Sequence, residues 1–214
     1  MSCIFLQQGS PEWLQFRQKG IGGSDAAAAL GISPYKSNIE LWEEKTGRRE
    51  PTDISGKPYV QYGTDAEDPL RRLFALDFPQ YTVLQQKTEV YQKGFMFASL
   101  DARLASKEEG LGILEIKTSE LHSKIAAEKW DKQVPQHYYV QILHYMYVLN
   151  AAYAFLKVQI KSAGANGLIE HITRHYKFLK QDVLGDVKYL ITKEREFWGY
   201  VERDERPPVI LPEI

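Results

Sequence analysis

The sequence predicts an α/β fold in which a central mixed β-sheet is flanked by helices. Three observations carry this. Short runs with alternating apolar residues recur at 81–84, 88–91, 95–99, 101–105 and 112–117, separated by polar or glycine-containing turns. Segments with helix caps and 3.6-residue periodicity lie before and after that block. The 214 residues, 43% hydrophobic and 26% charged, are enough for one sizeable core, so residues 1–214 are expected to form a single domain.

The composition also bounds function. A net charge of −1 gives no general attraction to nucleic acid, so any such binding must come from a local basic surface. A single cysteine, Cys3, excludes an intramolecular disulfide and a cysteine-rich zinc site, and fits a reducing cytosol. The start, Met1-Ser2-Cys3-Ile4-Phe5, lacks the pattern of a secretory leader, and no apolar run reaches the ~20 residues of a membrane span. The expectation is a soluble, cytoplasmic protein without a membrane partner.

In chain order, Ser10 caps a helix with Pro11 in its first turn; Trp13 and Phe16 are expected inward, with Arg17 one turn beyond Trp13. Gly20-Ile21-Gly22-Gly23-Ser24-Asp25 then leads into Ala26 to Ala29. Glycines and a serine at a helix start can offer backbone N–H groups to a phosphate, although such a loop also caps a helix with no ligand. Ser33-Pro34-Tyr35 reads as a turn, and Ser37 with Glu40 as a capping box for a helix stopped by Gly47. Residues 47–57 read as a surface loop carrying Arg48 and Arg49.

Residues 58–78 are expected to be helical, with Leu70, Leu73, Phe74 and Leu76 on the buried side and Pro69 either kinking the helix or marking its start. Glu67 three residues after Thr64 also fits a capping box. After the strand block, Ser119 or Ser123 is expected to cap a helix toward Trp130. Pro135 opens a longer one in which Tyr138, Ile142, Tyr145, Met146 and Leu149 recur at helical spacing. Gln141 on that helix is either a satisfied core polar group or a reach into a site. Strands are expected at 152–160 and 168–175, joined by Gly164-Ala165-Asn166-Gly167. A final helix at 179–202 carries Val183, Val187, Leu190, Ile191 and Phe197 inward and ends before Pro207-Pro208.

The chemistry concentrates at 95–118. There Asp101 is placed near the middle of a first strand, and a second strand ends Leu114-Glu115-Ile116-Lys117. Alternation puts Ile113, Glu115 and Lys117 on one face and Leu114 and Ile116 on the other. If the two strands pair, Asp101 lies opposite Glu115 and Lys117. Two carboxylates beside a lysine suit a hard cation, with a group to orient or deprotonate a water. His122, His137, His144, His171 and His175 show no metal-ligand spacing on a shared helix face and read as core or surface residues. Lys124, Lys129, Lys132, Arg48 and Arg49 are candidate phosphate contacts.

Taken in order, these motifs resemble the PD-(D/E)xK nuclease superfamily and, within it, the bacteriophage lambda exonuclease and YqaJ-type viral recombinase family. The likeness spans Trp13 to about Leu149. Trp13-Leu14-Gln15-Phe16-Arg17 with Ile21-Gly22-Gly23-Ser24 resembles the N-terminal motif. Tyr62 to Glu67 resembles the G-x-x-x-E helix. Ser99-Leu100-Asp101-Ala102 resembles the acidic strand, with Leu100 where the superfamily name has proline. Glu115-Ile116-Lys117 resembles E-x-K, and Val140-Gln141-Ile142 the Gln-bearing helix.

The resemblance implies a restriction-endonuclease-like core and a catalytic set of Glu67, Asp101, Glu115, Lys117 and Gln141. Mg²⁺ (with Mn²⁺ able to substitute) would sit on Asp101, Glu115 and the backbone carbonyl of Ile116. Glu67 would add to the acidic set, directly, through water or at a second ion. Arg17 and Ser24 would bind the 5′-phosphate. The implied activity is ATP-independent 5′→3′ exonuclease action on double-stranded DNA, releasing 5′-mononucleotides and leaving 3′ tails for strand annealing. A homotrimeric ring and a single-strand annealing partner are further implications. An endonuclease of the same superfamily and a non-catalytic DNA-end-binding module are the alternatives. No G-x-x-x-x-G-K-[ST] loop is present, so no ATP site is expected.

Overall fold

A computed structural model describes residues 1–85, 88–121, 130–131, 133–163 and 169–210. Among them the chain runs β1 (Ser2–Phe5), α1 (Pro11–Gln18), β2 (Ile21–Gly22), α2 (Gly23–Ala29), α3 (Asn38–Lys45), α4 (Pro58–Asp77), β3 (Thr82–Gln85), β4 (Glu89–Lys93), β5 (Met96–Ser99), β6 (Ala102–Ser106), β7 (Gly110–Leu121), α5 (Gln136–Leu149), β8 (Tyr153–Ala163), β9 (Ile169–Leu179) and α6 (Leu184–Glu202). The mixed α/β class is as expected, but the strands divide between two sheets. One has the order β1-β4-β5-β2 and the other β3-β6-β7-β8-β9, each with one parallel pair, β2–β5 and β7–β8.

The division falls at Leu100-Asp101. Residues read as neighbouring strand segments belong to different sheets, so Asp101 stands at the corner before β6 rather than in mid-strand. From there β6 and β7 form an antiparallel hairpin with Ala102 opposite Leu114. Its turn is closed by Ser106 Oγ, which accepts the N–H groups of Glu108 and Glu109, and by Gly110 at φ +77°, a left-handed value that suits glycine.

Alternation along β7 sorts the core into two layers. Ile113 packs with Ile142, Leu143 and Met146 of α5 and with Leu156 and Val158 of β8. Leu114 and Ile116 take the opposite face, against Leu70 and Phe74 of α4, with Leu104 and Phe155. Burying Leu70 and Phe74 contributes about 1.5–3 kcal/mol each. The sheet is thereby held between α4 and α5, and the residues that alternate with its core residues open toward a cleft.

Several local expectations are corrected. Helix α4 passes through Pro69 without beginning there, so Thr64 and Glu67 are interior residues and no capping box forms; Thr64 Oγ1 donates to the Val60 carbonyl instead. Leu73 and Leu76 are exposed because they lie off the arc shared by Leu70, Arg71 and Phe74. Strand β7 continues to Leu121, so Ser119 caps no helix, whereas Ser123 and the rest of that helix lie outside the described residues. Strand β9 extends to Leu179, where the last helix was expected to start. The turn at 164–167 and residues 122, 124, 129 and 132 also lie outside the described residues. Arg48 is held by Asp204 at 2.9 Å and lies over the Trp42 ring, and Arg49 is held by Glu40 at 2.8 Å. Among the described residues, no helix is long and apolar enough to cross a membrane.

Candidate active site

A cleft of about 650 Å³ lies between α4, the β5–β6 corner, β7, α5 and the start of α2. Its wall includes Arg17, Ser24, Glu67, Asp101, Glu115, Lys117 and Gln141, so residues scattered over more than 120 positions converge on one space.

The hairpin register explains the centre. With Ala102 opposite Leu114, the next residue of β7 toward the cleft is Glu115, beside the corner that carries Asp101. Asp101 Oδ2 accepts the N–H of Ile116 at 2.6 Å. Glu115 Oε1 receives Lys117 Nζ at 2.7 Å and Gln141 Nε2 at 2.7 Å, while its Oε2 is buried with no hydrogen-bond partner among the described residues. The alternation that puts Glu115 and Lys117 on one face therefore produces a contact between them.

Electrostatics follow from burial and crowding. Desolvation and the charge of Glu115 push the Asp101 carboxyl well above the usual carboxylate range. Desolvation likewise raises Glu115, although Lys117 works against it. For Lys117, burial alone would favour the neutral amine, but Glu115 and Asp101 reverse that and hold the ammonium firmly charged. Burial and the Glu115 charge raise the Tyr145 phenol, so it keeps its proton.

Glu67 reaches the same cleft from α4 but accepts Arg71 at 2.9 Å. Arg71, a buried residue, also engages Asp68 and donates to the Asp101 carbonyl at 3.2 Å. The cleft wall as a whole carries five carboxylates, Glu67, Asp68, Glu89, Asp101 and Glu115, against three cations, Arg17, Arg71 and Lys117, so two formal negative charges are left over. Among the described residues no three His, Cys, Asp or Glu side chains converge closely enough to enclose a metal ion by themselves. The donor chemistry nevertheless fits a hard divalent cation. Asp101 and Glu115 supply oxygen, one buried carboxylate oxygen has no partner among the described residues, and the surplus charge is negative.

At the other end of the cleft, Arg17 NH2 lies 3.0 Å from Ser24 Oγ and 3.1 Å from Asp25 Oδ1, with its guanidinium over the Trp13 ring. Asp25, 4% exposed, also binds Lys45 Nζ at 2.7 Å and accepts the Gly22 N–H at 3.3 Å. Burial would raise its carboxyl, but Lys45 and Arg17 outweigh that and hold it far below the usual range. Arg17 and Ser24 are therefore brought together, on a buried charged support.

Sequence reasoning missed several cleft or supporting residues, among them Arg71, Asp25, Lys45 and Tyr145. The spacing of Arg71 from Glu67 and Asp68 is an i,i+4 and i,i+3 signal that was readable. The Asp25–Lys45 pair joins two helices and has no local signal. His144, read as a core or surface residue, is fully buried between Glu194 and the Phe97 carbonyl.

Similarities of sequence and of fold to known proteins bear on this geometry. The YqaJ-like viral recombinase domain profile matches residues 12–153, the span that holds every one of the seven residues named above. The uncharacterized protein YqaJ of Bacillus subtilis (strain 168) is 30% identical over 192 residues, covering 88% of this chain and 55% of that protein; the chain spans about half the length of the curated relative it matches. Among solved structures, an alkaline exonuclease (LHK-Exo) from Laribacter hongkongensis superposes with a TM-score of 0.63 at 14% identity over 91% of this chain and 94% of that one. The same exonuclease in complex with dAMP gives 0.62. A phage related exonuclease from Haemophilus somnus 129PT gives 0.54 at 11% identity, over 86% and 96%. At these identities the structural likeness is one of fold.

Proposed function

The chain belongs to the YqaJ-like viral recombinase family, and from that premise we propose that it is a metal-dependent deoxyribonuclease that digests duplex DNA from phosphorylated 5′ ends. The observation that carries the reading is the single cleft in which Asp101, Glu115, Lys117 and Gln141 meet Arg17 and Ser24. The shared fold with exonucleases supports it.

Asp101 and Glu115, with the Ile116 carbonyl, would hold Mg²⁺, or Mn²⁺ in its place. When bound, such a cation supplies neutralising charge and a more acidic water. Lys117, as a firmly charged ammonium, orients a water and offsets negative charge on the phosphate under attack. Gln141 fixes the Glu115 carboxylate through its amide N–H. Glu67, held by Arg71, adds negative field at the rim. Arg17 offers a planar fork suited to two phosphate oxygens, and Ser24 adds a hydroxyl donor. Gripping a terminal phosphate while cutting the neighbouring linkage would release 5′-mononucleotides and advance 5′→3′. The exonuclease neighbour solved with dAMP accords with a nucleotide-sized product. The 3′ tail left behind is a substrate for a strand-annealing partner.

Arg17 and Ser24 favour an end-directed enzyme over an internal cutter, which has no need of a terminal phosphate. Purified protein with Mg²⁺ on linear and closed circular duplexes tests this, with Lys117→Ala as control. The reading expects loss of linear DNA alone, abolished in the variant. Cutting of the circle would establish an endonuclease, and no cleavage of either substrate would leave a DNA-end-binding module.

A further inference from the structure

Tyr145 stands between the two ends of the cleft. Its ring lies on Gly23, where a Cβ would fall 2.3 Å from Cε1 and 2.7 Å from Cζ, so any side chain at this helix start would force the ring to move. Its hydroxyl lies 3.0 Å from Gln141 Nε2. That nitrogen also donates to Glu115 Oε1, which settles which end of the amide is which, because an ionised carboxylate accepts and never donates. Both amide N–H groups of Gln141 are therefore used, and the Tyr145 oxygen is the acceptor. A phenol that accepts still has its own proton to give, and Gln141 is its one hydrogen-bond partner among the described residues. The donor is left for a group entering the cleft, whose wall Tyr145 shares with Ser24, Arg17 and Lys117.

We propose that Tyr145 contacts the substrate directly: its hydroxyl donates a hydrogen bond to a phosphate oxygen of the bound DNA end. One side chain thereby ties the grip on the terminal phosphate at Arg17 and Ser24 to the cutting centre at Asp101 and Glu115. This rests on the nuclease reading given above. It adds a residue whose hydroxyl sets both rate and preference for phosphorylated ends.

Tyr145→Phe removes the hydroxyl and keeps the ring over Gly23. Single-turnover cleavage with Mg²⁺ would be measured on duplexes bearing 5′-phosphate or 5′-hydroxyl ends, together with end binding in Ca²⁺ and thermal unfolding. The expected result is an unchanged Tm, a loss of about tenfold or more on the phosphorylated duplex, the worth of one hydrogen bond to a charged acceptor, and a matching fall in the phosphate-to-hydroxyl ratio. Gly23→Ala, by displacing the ring, should lower the same rate and the same ratio, and should lower them little further when added to Tyr145→Ser. Wild-type rate and ratio in Tyr145→Phe would overturn the proposal and leave the nuclease reading standing. So would equal slowing on both duplexes, which would make Tyr145 no more than a support for Gln141. A wild-type protein that neither cleaves nor binds DNA ends would remove the nuclease reading itself, and this proposal with it.

Discussion

Asp101 Oδ2 accepts the backbone N–H of Ile116 at 2.6 Å, so the acidic residue at the sheet corner is fastened to the middle of the Glu115-Ile116-Lys117 triplet. The pairing of β6 with β7 ends at Ala102–Leu114, and the Asp101 side chain takes the donor that the ladder leaves open. The same bond holds the Asp101 and Glu115 carboxyl groups close together, with Lys117 in contact with Glu115.

Asp101→Asn keeps an acceptor for Ile116 and removes one of the crowded charges. The variant is expected to lose cleavage and, in EDTA, to unfold at a temperature equal to or above that of the wild type. Mg²⁺ should raise the Tm of the wild type, by the equivalent of about 2.7 kcal/mol at a hundred times Kd, and leave the variant unmoved. Calorimetry with and without Mg²⁺ checks both statements; an equal shift in the variant would place the cation elsewhere.

Among the described residues, Lys117 contacts Glu115 and no other carboxylate. Its replacement by Ala should lower the cleavage rate by about 10²-fold or more while DNA-end binding in Ca²⁺ persists. Quench-flow rates beside an anisotropy titration separate the two. Parallel loss of binding and rate would make Lys117 a simple phosphate anchor.

Asp25 supports Arg17 from beneath. Asp25→Ala leaves Lys45 buried without its counter-ion and should cost about 3–5 kcal/mol in denaturant unfolding; adding Lys45→Met should recover much of that. Arg17→Ala leaves Asp25 with Lys45, and Arg17 is 30% exposed, so stability should change by less than about 1 kcal/mol. Its effect should appear instead as a loss of preference for phosphorylated ends. The Asp25 carboxyl is depressed in the fold, so its stabilisation is present above its unfolded value of 3.8 and is lost as pH falls toward the folded one.

His144 and Glu194 are wholly buried, and Nδ1 of the imidazole lies 2.8 Å from the carboxylate. Burial alone would lower the imidazole's pKa, but Glu194 and the Phe97 carbonyl raise it above 6.5. The pair's stabilisation is therefore full below 6.5 and is lost as pH rises through the folded value. Glu194→Gln should cost about 3 kcal/mol at pH 6 and progressively less at higher pH. Urea unfolding of both proteins from pH 6 to 9 tests the sign; a gap independent of pH would mean a neutral pair.

The centre of this site was legible because its signals are local. A two-residue alternation along β7 suffices to put Glu115 beside Lys117, and the cap at Ser10 with Pro11 suffices to start α1. What was not legible depends on tertiary closure. The corner at Leu100-Asp101 looks like continuous strand because both sides alternate, and only the pairing of β5 with β4 and of β6 with β7 separates them. Leu73 and Leu76 look like core residues until the rotation of α4 is fixed by Leu70 and Phe74. Lys45 and Asp25 look like surface charges until α2 and α3 close on each other and bury them. Tyr145 fits an apolar helix face equally well with or without a hydroxyl in the cleft.

The most direct test of the central claim is single-turnover digestion of a linear duplex carrying a 5′-phosphate at one end and a 5′-hydroxyl at the other, each strand labelled distinctly. Mg²⁺-dependent loss of the phosphorylated strand from its 5′ end, as mononucleotides and with its complement intact, is the result expected from Arg17 and Ser24 lying in one cleft with Asp101 and Glu115. Digestion of both ends at equal rates, or release from 3′ ends, would contradict it.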